Sequence, residues 1–493
     1  MNTAASMNSP QRGIDRRDFL KVSGAGLAAA ALATGVGRAA SQPQGAASAS
    51  RPNILFIWTD QLTRSAMSHA GNPHVHTPAI DSLARQGVVF DRAFSGNPLC
   101  TPSRTSWITG QHSHRTTVTY NAVQHGIACA PISPLFKAAG YDTGYVGKWH
   151  IPHDAHDHEW HGFDFVRHAR NNSLDPDLPA ACAEFLSEPR TKPFFLVASF
   201  VDPHDICEWA RMESGIKDTF KNGSIPPPPP PEACPPLPAN FGIPDGEPEV
   251  IRQMQAGSVP TYPTVGWPEG NWRQYLWAYY RLIELVDRRV GEILATLRQT
   301  GQDENTVIVF ASDHGNGSAS HQWHQKTIFY EECIGVPFIV RPPFCPRAGT
   351  RDAENLVSMN LDFFPTVFDY AGITPPAGLP GRSVRPLVEG RAGAVGHGFI
   401  VGQDDLSADD KVSARIYGRM LRTSRYKYIR FSAGRRREQF FDVALDPGEM
   451  TDLSQDPRHT KEIERHRRML DDWFVSAGDP FPNPVCPEDQ PAV

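Results

Sequence analysis

Asp60-Gln61, Lys148 with His150, Asp202-Pro203-His204 and Asp313-His314 each follow closely on an apolar run, and Cys100-Thr101-Pro102-Ser103-Arg104 lies between the first two runs. Two hard carboxylates, Asp60 and Asp313, joined by the amide oxygen of Gln61 and the imidazole of His314, can surround a divalent cation. A lone Asp-Gln or Asp-His is more often a loop cap or a satisfied pair. The placement of Asp313 in Ser312-Asp313-His314-Gly315, after a buried run, favours the metal reading. Cys100 brings a thiol next to a turn-forming proline and the Arg104 cation; alone, such a cysteine reads as a small buried hydrophobe. His150 and His204 can carry protons near neutral pH, and Lys148 and Lys326 supply fixed positive charge.

Elements with defined ends must hold these groups together. Asn53 to Thr59 is a continuous apolar run that reads as a strand buried on both faces, and residues 141–146, 194–200 and 306–311 read likewise. The stretches between them are long enough for crossover helices, which predicts an α/β fold with a mostly parallel central sheet sandwiched by helices. In open parallel sheets ligands bind beyond the carboxyl ends of the strands, so the polar groups that follow the runs are candidates for one site. Apolar residues recur at helical spacing over 272–297, predicting a core-facing helix. Residues 208–270 are proline-rich, Pro226 to Pro231 above all, and read as an extended loop over the domain. Beyond about residue 375 a smaller C-terminal α+β subdomain with a short antiparallel sheet follows. The basic residues of its 419–430 segment read as a solvated strand face, and residues 461–475 as a final helix.

At 493 residues the chain exceeds what one core usually serves, consistent with a large domain at 51–375 and a smaller one at 376–493. Its 48 basic and 54 acidic side chains nearly cancel, with no long basic run, which argues against binding nucleic acid through phosphate neutralisation. Arg16-Arg17-Asp18-Phe19-Leu20-Lys21, the mild apolar stretch after it and the small residues at Ala39 and Ala40 read as a twin-arginine signal over residues 1–40, with a linker at 41–50. That stretch is too short and too mild for a stable membrane span. The eight cysteines show no paired metal spacing.

Cys100-Thr101-Pro102-Ser103-Arg104 matches the Cys-x-Pro-Ser-Arg signature of formylglycine-dependent type I sulfatases of the alkaline phosphatase superfamily. Gly147-Lys148-Trp149-His150, the Pro203-His204 element and Lys326 follow in that family's order. The resemblance covers about residues 53–452 and implies an alkaline-phosphatase-like fold. It implies that a formylglycine-generating enzyme oxidises Cys100 to an aldehyde whose hydrate attacks sulfur, with Arg104 orienting the hydrate. In relatives the lysine matching Lys148 contacts a sulfate oxygen, that matching Lys326 bridges sulfate and leaving oxygen, His150 is the base that releases sulfate, and His204 protonates the leaving group. His321 and His324 lie where relatives contact substrate. The metal ligands implied are Asp60, Gln61, Cys100, Asp313 and His314, usually around calcium. The commoner family pattern is Asp-Asp and Asp-Asn, so Gln61 and His314 depart from it and keep manganese or another divalent ion open.

The expected function is an exported sulfatase acting on a sulfate ester, on a sulfated small molecule or glycan, delivered by the Tat translocon to the periplasm or beyond. A phosphonate monoester or phosphodiester hydrolase of the same superfamily is the alternative, supported by Gln61 and His314. A non-catalytic glycan-binding relative is the alternative of another class. Histidines 150, 153, 156, 158 and 161 also allow a zinc reading, weakened by the lack of a cysteine or second histidine cluster.

Overall fold

A computed structural model describes residues 51–121, 126–168, 175–258, 260–406 and 416–482. The twin-arginine segment, the 41–50 linker and Cys486 lie outside them. Eight strands form the central sheet in the spatial order Phe165–Arg167, Asp142–Gly147, Phe194–Ser199, Asn53–Thr59, Thr306–Ser312, Phe338–Arg341, Val88–Phe90, Thr350–Asp352. Every pairing is parallel except the two made by Phe338–Arg341. The four strands read from apolar runs occupy adjacent places in the sheet, in register from Ile54 opposite Phe195 on one side and Asn53 opposite Thr306 on the other. The remaining four are only three or four residues long, too short for a periodic signal to stand out.

Alternation along the central strand divides the core. Leu55 and Ile57 point into a cluster with helix Glu269–Gln299, while Ile54, Phe56 and Trp58 point into one with helices Cys100–Thr109 and Met359–Ala371. Helices therefore cover both faces. The long helix buries the predicted stripe, Tyr275, Tyr279, Leu282, Ile283, Val286, Val290 and Leu294 among it, and extends three residues earlier and two later than the periodicity implies. Each such fully buried side chain contributes about 1.5–3 kcal/mol.

Two expectations need correction. The 208–270 segment is not extended throughout: it begins inside helix Ile206–Glu213 and contains helix Glu249–Gly257, whose Val250, Ile251 and Met254 are buried. The proline rule applies only to the run before Pro248, which caps this helix. The second concerns the four-stranded antiparallel sheet Ile400–Asp405, Tyr417–Arg422, Tyr426–Phe431, Glu438–Asp442. Its Arg419, Arg422, Lys427 and Arg430 are buried, not solvated. Arg419 pairs with Asp479, Arg422 with Glu331, Lys427 with Glu331 and Glu449, and Arg430 with Asp471. Charges are buried only when paired, and these partners lie too far along the chain for a local pattern to announce them. The final helix runs Thr460–Ala477.

Candidate active site

Cys100 is the first residue of helix Cys100–Thr109, where Pro102 is tolerated because the first turn needs no backbone donor there. The thiol is fully buried at the positive end of the helix dipole. Lys326 Nζ lies 3.1 Å from Sγ, His314 Nε2 3.2 Å and Asp60 Oδ1 3.7 Å. Burial and Asp60 push the thiol pKa up, but Lys326, Lys148 and His314 outweigh them and hold it well below the usual value. The pocket is therefore built to receive negative charge at position 100.

The carboxylates arrive on neighbouring strands, Asp60 after Asn53–Thr59 and Asp313 after Thr306–Ser312. Arg104, with no exposed surface, ties them together: Nε donates to Asp313 Oδ2 at 2.9 Å and Nη2 to Asp60 Oδ2 at 3.1 Å. Its Nη1 donates to Ser199 Oγ at 2.9 Å and to the Lys148 carbonyl at 3.0 Å, and the guanidinium lies 4.4 Å from the Trp58 ring centroid. These partners belong to the frame of the site. Lys148 Nζ pairs with Asp60 Oδ2 at 2.7 Å. Gly147 enters this turn at φ +104°, where an added Cβ would sit 1.9 Å from the Ser199 carbonyl, so only glycine admits it. Left-handed backbone recurs beside the site residues at Gln61 (φ 70°), His150 (46°), Gln325 (73°) and Thr327 (73°).

Asp60, Cys100, Asp313 and His314 offer ligand atoms that all lie within 4.8 Å of one another, and all four residues are buried. The outer oxygens of both carboxylates face Arg104, while Asp60 Oδ1 and Asp313 Oδ1 lie 3.7 and 3.6 Å from His314 Nε2. Burial and the adjacent Asp60 raise the Asp313 carboxyl to about 6 despite His314 and Arg104. Burial alone would raise Asp60 too, but Lys148, Lys326, His204 and Arg104 hold it low. Two buried carboxylates with inward oxygens and an imidazole fit a hard divalent cation, which would relieve the charge that Asp313 otherwise sheds by protonation. Gln61 joins this group mainly through its backbone: its N–H donates to Asp313 Oδ1 at 3.2 Å. Its Oε1 accepts from Lys326 Nζ at 2.9 Å and its Nε2 donates to Asn316 Oδ1 at 3.1 Å.

The Cys100 side chain favours the protonated form of both His150 and His204. Burial lowers the pKa of His150; for His204, burial and the two lysines are outweighed by Cys100 and Glu208, which raise it. His324 is buried near His204, Lys326 and Arg211, its Nδ1 3.3 Å from Tyr275 Oη and its Nε2 without a hydrogen-bond partner. His321 is not brought to Cys100: its ring stacks 3.8 Å from that of Tyr330, beside Asn240 and Arg252. The histidines after His150 also stay apart from the site. His153 pairs with Asp157, His158 Nδ1 lies 2.6 Å from the Phe163 carbonyl and His161 Nε2 3.0 Å from that of Ala155. Among the described residues they form no metal-binding group. Ser199, Asn316 and Glu208 are not legible in the sequence as site residues, and Tyr275 only as part of the helical core stripe; Ser199 ends the observed strand Phe194–Ser199 and Asn316 lies two residues after His314.

An α/β fold with a possible metal-binding group, an electropositive thiol and proton-carrying imidazoles beyond its parallel strands defines a hydrolase of anionic esters. Comparison with known proteins narrows the class. The family model described as Sulfatase matches residues 52–373, that described as N-sulphoglucosamine sulphohydrolase, C-terminal, matches residues 319–473, and that of the twin-arginine translocation pathway signal sequence matches residues 13–33. The chain is 30% identical to the Delta 4,5-hexuronate-2-O-sulfatase of Bacteroides thetaiotaomicron, over 87% of this chain and 90% of that one. A solved 2-O GAG sulfatase is similar with a TM-score of 0.76 at 29% identity, covering 87% of this chain and 93% of the other. The phosphonate monoester hydrolase of Agrobacterium radiobacter shares the fold, with a TM-score of 0.69 at 21% identity over 87% of this chain and 96% of its own. The chain belongs to the sulfatase family of the alkaline phosphatase superfamily and is a sulfuric ester hydrolase. Its signal sequence directs it through the twin-arginine route to the periplasm or the exterior, and among the described residues no helix is long and apolar enough to cross a membrane.

Proposed function

We propose that the protein removes sulfate from a sulfated carbohydrate, with position 100 as the nucleophile. The observation that carries this reading is the convergence of Lys326, His314 and Asp60 on the Cys100 sulfur, within 3.1–3.7 Å. Formylglycine made from Cys100 supplies a hydrated aldehyde as nucleophile, and a divalent ion, calcium first, supplies positive charge against the sulfate oxygens. Asp60, Asp313 and His314 would hold the ion together with position 100, with Gln61 beside them, its N–H fixing Asp313 and its amide oxygen facing Lys326. Lys148 and Lys326 bind sulfate oxygens, which otherwise repel a nucleophile. His204 gives its proton to the departing alcohol, a poor leaving group without one, and His150 accepts the proton whose removal releases sulfate. Arg104 keeps Asp60 and Asp313 at fixed separation.

The carbohydrate assignment is supported by the relatives, one named for a hexuronate 2-O-sulfate and one for a GAG sulfate. Maturation requires a formylglycine-generating enzyme in the compartment where the chain folds. Parallel assays of 4-nitrophenyl sulfate, sulfated disaccharides and a phosphonate monoester test the reading. Turnover of the sulfate esters, abolished by a chelator and restored by calcium or manganese, is expected. A preference for the phosphorus ester by orders of magnitude would make the protein a phosphonate hydrolase instead.

A further inference from the structure

His204 stands at the entry to helix Ile206–Glu213, and Glu208 follows four residues later, one turn along the same face. Glu208 is only 3% exposed, which is costly for a carboxylate unless cations hold it. Its Oε1 has two, Arg211 Nη2 and Lys221 Nζ, each at 3.0 Å. Its Oε2 has no hydrogen-bond partner and lies 3.6 Å from His204 Nδ1. That separation is longer than a formed hydrogen bond and short enough to become one by a small rotation of the ring. The Cys100 side chain lies near enough to the same ring to favour its protonated form. Asp205 anchors the turn, accepting the N–H groups of Lys221 and Asn222 at 2.8 Å, so Lys221 is fixed where it holds Glu208.

We propose that Glu208 is a positioning residue for His204, its Oε2 accepting a hydrogen bond from Nδ1–H of the protonated ring so that Nε2–H is the donor aimed at the leaving oxygen. Arg211 and Lys221 serve this by occupying Oε1 and turning Oε2 toward the ring. The role deepens the proposed function and rests on His204 being the leaving-group acid. It also makes a distinctive demand: help with the leaving group matters for a sugar or phenol alkoxide and little for a nitrophenolate, which departs unaided.

The test is kcat/KM on phenyl sulfate and 4-nitrophenyl sulfate for the active enzyme and for the Glu208→Ala, Glu208→Gln, His204→Ala and His204→Ala/Glu208→Ala variants. Glu208→Ala is expected to lose about 10- to 100-fold on phenyl sulfate and less than about threefold on 4-nitrophenyl sulfate, mostly in kcat. Glu208→Gln, which keeps the volume and an acceptor oxygen, is expected to recover at least about threefold of the phenyl sulfate loss. In the His204→Ala background, removing Glu208 should cost almost nothing further. Equal losses on both substrates, or a full additional loss in the double variant, would overturn the inference by making Glu208 merely structural. If His204→Ala itself shows no leaving-group selectivity, the assignment of His204 falls and this inference with it. If His204→Ala is selective and Glu208→Ala is not, only the inference falls.

Discussion

Every guanidinium nitrogen of Arg104 is engaged, and nothing in its neighbours along the chain announces that; its partners are Asp60, Asp313, Ser199 and the Lys148 carbonyl. A planar fork can span two carboxylates and a turn at once, which an ammonium cannot. Arg104→Lys keeps the charge but releases at least one carboxylate, and a displacement of about 1 Å in such a site is worth about 100-fold in rate. Steady-state kinetics should therefore show kcat lower by about two orders of magnitude; near-normal kcat would mean the frame does not depend on the fork. The arginine was legible as part of a signature, yet its partners were not, because a contact between residues 44 to 209 positions apart leaves no spacing to read.

At the level of elements, two helices meet behind the nucleophile. Asn360, on helix Met359–Ala371, donates from Nδ2 to the Ser103 carbonyl at 2.9 Å and to Ser103 Oγ at 2.7 Å, and accepts the Gly96 N–H at 2.7 Å. Ser103 Oγ in turn donates to the Asp313 carbonyl at 2.6 Å, so one amide joins both helices to the metal-side strand. Asn360→Leu keeps the size and leaves the Gly96 N–H and Ser103 carbonyl without this partner, a loss of about 2–4 kcal/mol. Denaturant unfolding should show a lower midpoint with an unchanged slope, and an unchanged midpoint would refute the role. The apolar runs, the long helix and the polar groups following each strand could be read from the sequence because burial and periodicity write themselves into local composition. Asn360 could not, since a buried asparagine in an apolar helix looks the same whether it caps a neighbour or merely tolerates burial.

Across the whole molecule, the segment carrying Lys326 is held by parts distant in sequence. Lys427, buried on the antiparallel sheet, pairs with Glu331 at 3.1 Å and Glu449 at 2.5 Å and donates to the Phe329 carbonyl at 2.7 Å. His321 stacks on Tyr330 and meets Asn240 and Arg252 of the proline-rich segment. Burial, with Arg252 and Lys427 adding to it, lowers the His321 pKa from 6.5 to about 3. Its folded value is depressed, so the unfolded chain binds more protons below pH 6.5, and stability falls as pH drops from 6.5 toward 3. The slope from this one residue is about 1.4 kcal/mol per pH unit. His321→Asn, which tolerates the left-handed backbone there, should flatten the pH dependence of unfolding by about that amount; an unaltered slope would contradict it. His321 thus joins three segments through a packed ring.

Under the proposed mechanism, oxidation of Cys100 comes before translocation, because the twin-arginine route carries chains that are already folded. Mass spectrometry of the peptide containing position 100, taken from exported and catalytically active protein, tests the account most directly. The expected result is a cysteine that has exchanged its sulfur and two hydrogens for one oxygen, the composition of formylglycine. An unmodified thiol in protein that still hydrolyses a sulfate ester would contradict it.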